Sequence, residues 1–113
     1  EYELDVFKGP EYEILTDDQL KLLSTHKFTI AKENNRMAYQ LEELIGEQSH
    51  KMLTSATLPG TVQLTPNGKL IILMRDGQTT GGYPRVLQLA SKSSALLAQK
   101  KFGDKISFQF LPH

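Results

Sequence analysis

Apolar and polar residues alternate along several short stretches of this chain, which is typical of strands with one buried face. Tyr2, Leu4 and Val6 alternate with charged residues and predict a strand that ends at Gly9-Pro10. The same alternation over residues 106–110 predicts a last strand. Both ends of the sequence are therefore expected to lie in a sheet.

The middle of the chain has the pattern of a β-hairpin. Thr61–Leu64 is separated from the apolar run Leu70–Met74 by the tight-turn sequence Pro66–Gly68. Residues 28–30 and 85–89 have the composition of further strands. The pattern predicts many short strands that are close together in sequence.

Two short helices are predicted between these strands. The run Thr16–Gln19 matches a capping box and predicts a helix over about residues 17–24. Ser93 or Ser94 is the expected N-cap of a second helix, with Gly103 as its stop. This order of elements predicts a mainly antiparallel β-barrel with one or two helices.

Residues 36–44 fit two periods at once. Met37, Leu41 and Leu44 fit a helical stripe, whereas Met37, Tyr39 and Leu41 fit the period of a strand. The segment is rich in good helix formers, so local rules slightly favour a helix.

Length, charge and composition exclude several classes of protein. With 113 residues, the chain is expected to form one domain. Its 13 basic and 13 acidic residues form no basic stripe, so a nucleic-acid partner is not expected. No apolar run is long enough to cross a bilayer, so we expect no membrane partner. The absence of cysteine excludes disulfides and thiol chemistry and favours a cytoplasmic protein.

The run Arg75–Pro84 is the strongest candidate for chemistry. It follows the buried strand and contains Asp, Gln, two Thr, two Gly and a Tyr. Thr80–Tyr83 could form a nest of backbone N–H groups that binds an anion, or only a tight turn or bulge. Asp76 could act as a base or hold a substrate amide, or Asp76-Gly77 could be a simple turn dipeptide. The run lacks the Gly-Lys-Ser/Thr ending of a P-loop.

Other polar residues carry weaker signals. Arg36 could bind a carboxylate or phosphate in bidentate fashion, or pair with an acid such as Glu33. The histidines have no metal-ligand spacing and form no recognisable catalytic triad, so no metal site is expected. They are His26, His50 and His113.

The sequence resembles the C-terminal half of the biotin-dependent carboxyltransferase-like family. This family includes allophanate hydrolase subunit 2 of urea amidolyase, the KipA regulator and the C subunit of 5-oxoprolinase. The Gln-Thr-Thr-Gly-Gly-Tyr-Pro run is the most specific part of the resemblance. The matching segments, in order, are Val6–Pro10, Asn35–Leu41, Pro59–Gly68, Leu73–Arg85, Leu97–Gln99 and Gly103-Asp104.

The resemblance implies a cyclophilin-like antiparallel β-barrel. Residues 1–113 are then expected to be a single domain, the C-terminal half of a longer two-domain subunit, and inactive as an isolated fragment. The resemblance also implies that Arg36–Leu41 is a strand, against its local helix propensity.

Three roles follow from the resemblance. The expected role is that of a component of an ATP-dependent 5-oxoprolinase, a hydrolase that opens the lactam of 5-oxoproline to glutamate. It would work with a KipI-like partner, the B-type subunit of such an enzyme. Its substrate would be a small amide or lactam, and its ATP would be bound in the full complex. The alternatives are urea-amidolyase-type carboxyl transfer, with biotin on a separate carrier, and a non-catalytic KipA-like module that antagonises a histidine-kinase inhibitor. No cofactor is expected in this fragment.

The resemblance also implies site residues. Asp76, Gln63 and Arg36 are the expected catalytic residues. The substrate is expected to contact Gln78, Thr79, Thr80, Gly81, Gly82 and Tyr83.

The chain departs from the family at three of its positions. It has Ala38 where Gly is frequent, and Gln40 and Gly77 where Arg is usual. If those arginines bind an anionic carboxylate or carboxybiotin, their absence weakens the urea-amidolyase alternative.

Overall fold

The computed structural model describes residues 2–32, 37–50, 54–75, 77 and 80–112. In these residues the backbone forms nine strands, two α-helices and one 3₁₀ turn at Tyr12–Ile14. The strands are β1 (Tyr2–Lys8), β2 (Phe28–Thr29), β3 (Ala38–Gln40), β4 (Ser55–Ala56), β5 (Thr61–Leu64), β6 (Leu70–Leu73), β7 (Thr80–Gly81), β8 (Arg85–Leu89) and β9 (Lys105–Phe110). The helices are α1 (Asp17–Thr25) and α2 (Ser91–Leu97).

Seven strands form one curled sheet in the order β2-β9-β1-β8-β5-β6-β3. All neighbours are antiparallel except β1 and β9, which are parallel. The two edge strands also meet, because Ile30 forms a β-bridge with Leu41 and the Ala31 amide donates to the Gln40 carbonyl at 2.8 Å. A closed sheet has no free edge. The predicted mainly β, cyclophilin-like architecture with two helices is confirmed.

The inner face of this sheet carries the core. Its side chains alternate with outward-facing ones, as strand geometry requires. Burying one Leu or Ile side chain contributes about 1.5–3 kcal/mol, so such a core supplies most of the stability of the fold. Fully buried members include Leu4, Leu23, Phe28, Ile30, Leu41, Leu64, Leu70, Ile72, Leu87 and Ile106.

Helix α1 begins at the predicted capping box. The Gln19 amide donates to Thr16 Oγ1 at 3.1 Å, and the Thr16 amide donates to Gln19 Oε1 at 2.9 Å. Leu23, on the inner side of this helix, is fully buried. No helix in the described part of the chain is long and apolar enough to span a membrane.

The predictions for the second helix were wrong in detail. Helix α2 begins after Ala90, which makes no side-chain cap, so neither Ser93 nor Ser94 is the N-cap. The Ser93 hydroxyl instead accepts a hydrogen bond from the Asp5 amide of β1 at 2.8 Å. The helix ends at Leu97, and Gly103, with φ of +88°, lies in a later turn.

The ambiguous segment forms a strand, as the family resemblance implied. Strand β3 pairs with β6, with Tyr39 opposite Ile72, and continues to the bridge at Leu41. Tyr39 crosses towards α2, where its hydroxyl donates to the Lys100 carbonyl at 3.1 Å. Tertiary pairing therefore overrides the local helix propensity.

The connection from β6 to β8 determines where the candidate site lies. Both strands are antiparallel to β5, which lies between them, so β6 and β8 are parallel to each other. Parallel strands require a crossover connection. Because the inner face of β5 is packed with core side chains, we expect the connection on its outer face. On the way, β7 pairs with β4 to form a two-stranded ribbon.

Candidate functional site

Gln63 lies on the outer face of β5. Its neighbours Val62 and Leu64 point into the core, so alternation directs Gln63 away from it. The side chain is nevertheless only 1% exposed. Within the part of the chain that the structure describes, its Nε2 atom has no hydrogen-bond partner. A buried amide donor without a partner is rare and costly, which makes this position a candidate for function.

Cross-strand pairing places Gln63 in a row of outward-facing residues. Ile71 is opposite both Gln40 of β3 and Gln63 of β5. Arg85 of β8 is opposite Gln63 on the other side, where the register shifts at a bulge. Directly opposed residues share one face of a sheet. The outer face therefore brings two amides and a guanidinium into one line.

The guanidinium of Arg85 ties three parts of the chain together. Its Nε and Nη2 atoms donate to the two carboxylate oxygens of Glu11 at 2.8 and 2.7 Å. Its Nη1 atom donates to the carbonyl of Ala56, in the ribbon, at 2.7 Å. The hydrogen bond from Arg85 lowers the pKa of Glu11, and the same bond raises the pKa of Arg85. Both groups are therefore charged at neutral pH.

Gly9 allows Glu11 to reach this position. The Gly9 amide donates to the Val86 carbonyl at 3.0 Å, and the Glu11 amide donates to the Arg85 carbonyl at 3.0 Å. A Cβ on Gly9 would lie 2.8 Å from the Leu87 nitrogen and would also overlap the Arg85 carbonyl oxygen. Such contacts are shorter than real Cβ atoms make, so only glycine fits here.

The described part of the motif loop is a strand and its exit. Thr80 is exposed, Gly81 is buried opposite Ser55, and Tyr83 is 41% exposed. Positive φ occurs at other described glycines, but not at Gly81 or Gly82. Neither glycine therefore supplies the left-handed residue of a nest, and anion binding by this loop stays a prediction.

The other end of the loop packs against the start of β3. The Met74 amide donates to the Met37 carbonyl at 3.0 Å, and the Gly77 amide donates to the Met74 carbonyl at 2.9 Å. A Cβ on Gly77 would overlap the Met37 carbonyl oxygen. This backbone has no room for the arginine that is usual in the family at Gly77.

The departure at Gln40 has a basic residue beside it. At the position of Gln40, the Lys69 ammonium donates to Gln40 Oε1 at 3.2 Å. A positive charge therefore still lies beside this row, although it comes from the preceding turn and not from β3.

Four predicted site residues have no described position. Arg36, Asp76, Gln78 and Thr79 lie outside the described residues, and the roles expected of them stay predictions.

Sequence reasoning missed the Glu11–Arg85 pair. The two residues lie 74 positions apart, and no local pattern connects them. One signal was available. Two segments of the family resemblance end at this pair: Val6–Pro10 stops just before Glu11, and Leu73–Arg85 stops at Arg85.

Comparison with known proteins supports one family. Residues 1–110 match the family model described as carboxyltransferase domain, subdomain A and B. The chain is 35% identical over 102 residues to the C subunit of Escherichia coli 5-oxoprolinase, covering 88% of this chain and 33% of that protein. It is 37% identical over 86 residues to the C subunit of Haemophilus influenzae 5-oxoprolinase, covering 74% of this chain and 28% of that protein.

The fold is also found in a larger solved structure. The Kluyveromyces lactis urea carboxylase superposes with a TM-score of 0.83 at 18% identity, covering 98% of this chain and 11% of that one. At this identity the likeness concerns the fold alone. The chain spans about a third of the length of the two curated relatives.

Proposed function

Because this chain belongs to the family of carboxyltransferase domains, subdomain A and B, we propose that it is one domain of a 5-oxoprolinase subunit. In this proposal the assembled enzyme opens the lactam of 5-oxoproline to glutamate and hydrolyses ATP as it does so. The chain is the C-terminal domain in its subunit, and it works with a KipI-like partner, the B-type subunit.

The buried, unpartnered amide of Gln63 is the observation that carries this proposal. An N–H donor that lacks a partner within the described structure is available to a ligand carbonyl. Leaving such a donor unpaired costs about 1–3 kcal/mol, so its presence is more easily explained by a ligand than by stability. A lactam offers a single planar amide whose carbonyl oxygen can accept this bond.

Attack of water on the lactam carbonyl carbon places negative charge on that carbonyl oxygen. The C–N bond then breaks, and the leaving nitrogen takes up a proton. Donors that are fixed in advance around the oxygen stabilise this charge. Gln63 is held on a central strand and supplies one such donor. In the proposal Asp76 shares the task of orienting the lactam or its phosphorylated form, and Arg36 with the amides of residues 79–82 stabilises the charge.

In this proposal ATP binds in other parts of the complex, and no step in this domain involves the nucleotide. The sequence supports this assignment because it has no P-loop. Biotin enters only in the carboxyl-transfer alternative, on a separate carrier.

The test is ATP-dependent cleavage of 5-oxoproline by the full-length subunit in co-expression with its partner subunits. Wild-type turnover should disappear when this subunit is omitted. Gln63→Met should lower kcat about 100-fold, the range found when one preorganised oxyanion donor is removed. Thr61→Val changes a buried residue on the same face of β5 and serves as the matched control, with turnover near wild type below its unfolding temperature.

Other results would point to the alternatives. Carboxyl transfer to urea without lactam cleavage would replace the proposal with the urea-amidolyase function. A stable complex with the partner that lacks both activities would favour the regulatory, KipA-like module.

A further inference from the structure

We propose that Glu11 and Arg85 form a positioning device that holds the β4–β7 ribbon beside Gln63 and so keeps the site ordered. This inference rests on the proposed function for its catalytic consequence. Neither residue is expected to contact the lactam, and both act through the ribbon and Gln63.

The first argument is geometric. The Nε and Nη2 atoms of Arg85 donate to both carboxylate oxygens of Glu11, and its Nη1 atom donates to the Ala56 carbonyl. Bidentate pairs of this kind fix orientation as well as distance. The side chains are only 19% and 21% exposed, so water weakens the pair less than it weakens a surface ion pair.

The second argument is that the ribbon is too short to be stable alone. It consists of two residue pairs, Ser55 with Gly81 and Ala56 with Thr80. An isolated two-stranded hairpin is marginal in water even when it is longer. An anchor on the barrel is therefore needed, and the charge-assisted bond from Arg85 to Ala56 supplies one.

The third argument is that two distant segments converge on this pair. Gly9 packs directly on the backbone of β8, which brings the Glu11 carboxylate to Arg85. The Arg85 amide also donates to Glu11 Oε1 at 2.8 Å, so the carboxylate is fixed from the backbone as well. The same arginine follows the Gly-Gly-Tyr-Pro exit of the motif loop. One pair thus connects the end of β1, the ribbon and the strand beside Gln63.

Loosening the pair should let the ribbon move away from Gln63. Arg85→Lys keeps the charge but loses the planar fork, so it cannot hold Glu11 and Ala56 together. Glu11→Gln keeps the size of the side chain but loses its charge. Lys105→Gln is the matched control, since Lys105 donates a short bond to Thr29 at 2.6 Å on β2 and β9, away from the ribbon.

The first measurement is amide hydrogen exchange in the full-length subunit within its assembled complex. Residues 54–58 and 80–83 should exchange about tenfold faster in Arg85→Lys, because a charge-assisted bond that restrains opening is lost. Glu11→Gln should give a smaller increase, and Lys105→Gln none in these residues. Unchanged exchange of the ribbon in Arg85→Lys would overturn the proposal.

The second measurement is steady-state turnover of 5-oxoproline by the same samples. We expect kcat to fall about tenfold in Arg85→Lys, matching the tenfold rise in the exchange rate of the ribbon. Lys105→Gln should keep the wild-type kcat even where its loss of thermal stability is similar. Faster exchange with unchanged kcat and KM would show that the pair is only structural and would overturn the positioning role. If the wild-type complex cleaves no lactam, the proposed function fails, while the exchange comparison still decides whether the pair holds the ribbon.

Discussion

The partnerless amide of Gln63 predicts that removing it should stabilise the protein. Methionine has nearly the same length and no branching, so Gln63→Met replaces the amide without opening a cavity or forcing a clash. The change relieves an unpaired donor that costs about 1–3 kcal/mol. We expect the free energy of unfolding to rise by about 1–2 kcal/mol, or roughly 4 °C or more in Tm for a domain of this size.

A matched change on the same strand should have the opposite sign. Thr61 is also buried on the outer face of β5, but its hydroxyl accepts from the Leu58 amide at 3.0 Å and donates to Gln88 Oε1 at 3.0 Å. Thr61→Val conserves volume and breaks both bonds, so it should lower stability by about 1–2 kcal/mol.

Urea unfolding of both variants, followed by circular dichroism, measures these differences directly. The reasoning is refuted if Gln63→Met loses as much stability as Thr61→Val, because the amide would then be part of the architecture. Higher stability combined with lower turnover would identify Gln63 as a residue kept for function at the expense of stability.

Three further predictions concern other parts of the barrel. Burial raises the pKa of Glu43, but hydrogen bonds from the Thr29 amide and hydroxyl outweigh it and hold the pKa below its ordinary value. A lowered folded-state pKa stabilises the protein at pH values above the ordinary pKa of about 4.3. This stabilisation is lost as the pH falls through the lower folded-state pKa. In Glu43→Gln the free energy of unfolding should therefore depend less on pH in this acid range. Gly9→Ala should lower the free energy of unfolding by about 1–3 kcal/mol in urea titrations, since its methyl group meets backbone atoms; an unchanged midpoint would contradict the close packing. Tyr39→Phe should cost about 1 kcal/mol by thermal melting because it leaves the Lys100 carbonyl without this donor, and no loss would mean that water replaces the bond.

Local signals in the sequence predicted local structure correctly at two places. The capping box at Thr16 and Gln19 and the turn at Pro66–Gly68 both depend on residues within a few positions of each other. Strand β3 was different, because its helix formers favour the wrong structure and only the family resemblance indicated a strand. The pairing with β6 that stabilises it is not encoded in its own three residues.

The candidate site was predictable only in part, for the same physical reason. Gln63 was selected from a resemblance, but its burial on the outer face of β5 is not shown by periodicity. Strands β4 and β7 have two residues each and too little pattern to predict. Glu11 was missed because its partner Arg85 is brought to it by the closed sheet and not by sequence spacing.

The position of β9 has a consequence for the order in which the barrel can form. This strand, made of residues 105–110, lies between β2 and β1, and Phe108 packs on Phe28 with ring centroids 5.5 Å apart. Translation produces β9 after the other eight strands of the described residues, so until then β1 and β2 have no neighbour on that side and part of the core stays open. Closure joins residues from opposite ends of the sequence, a topology that folds in milliseconds to seconds. A nascent chain therefore exposes this seam until β9 leaves the ribosome.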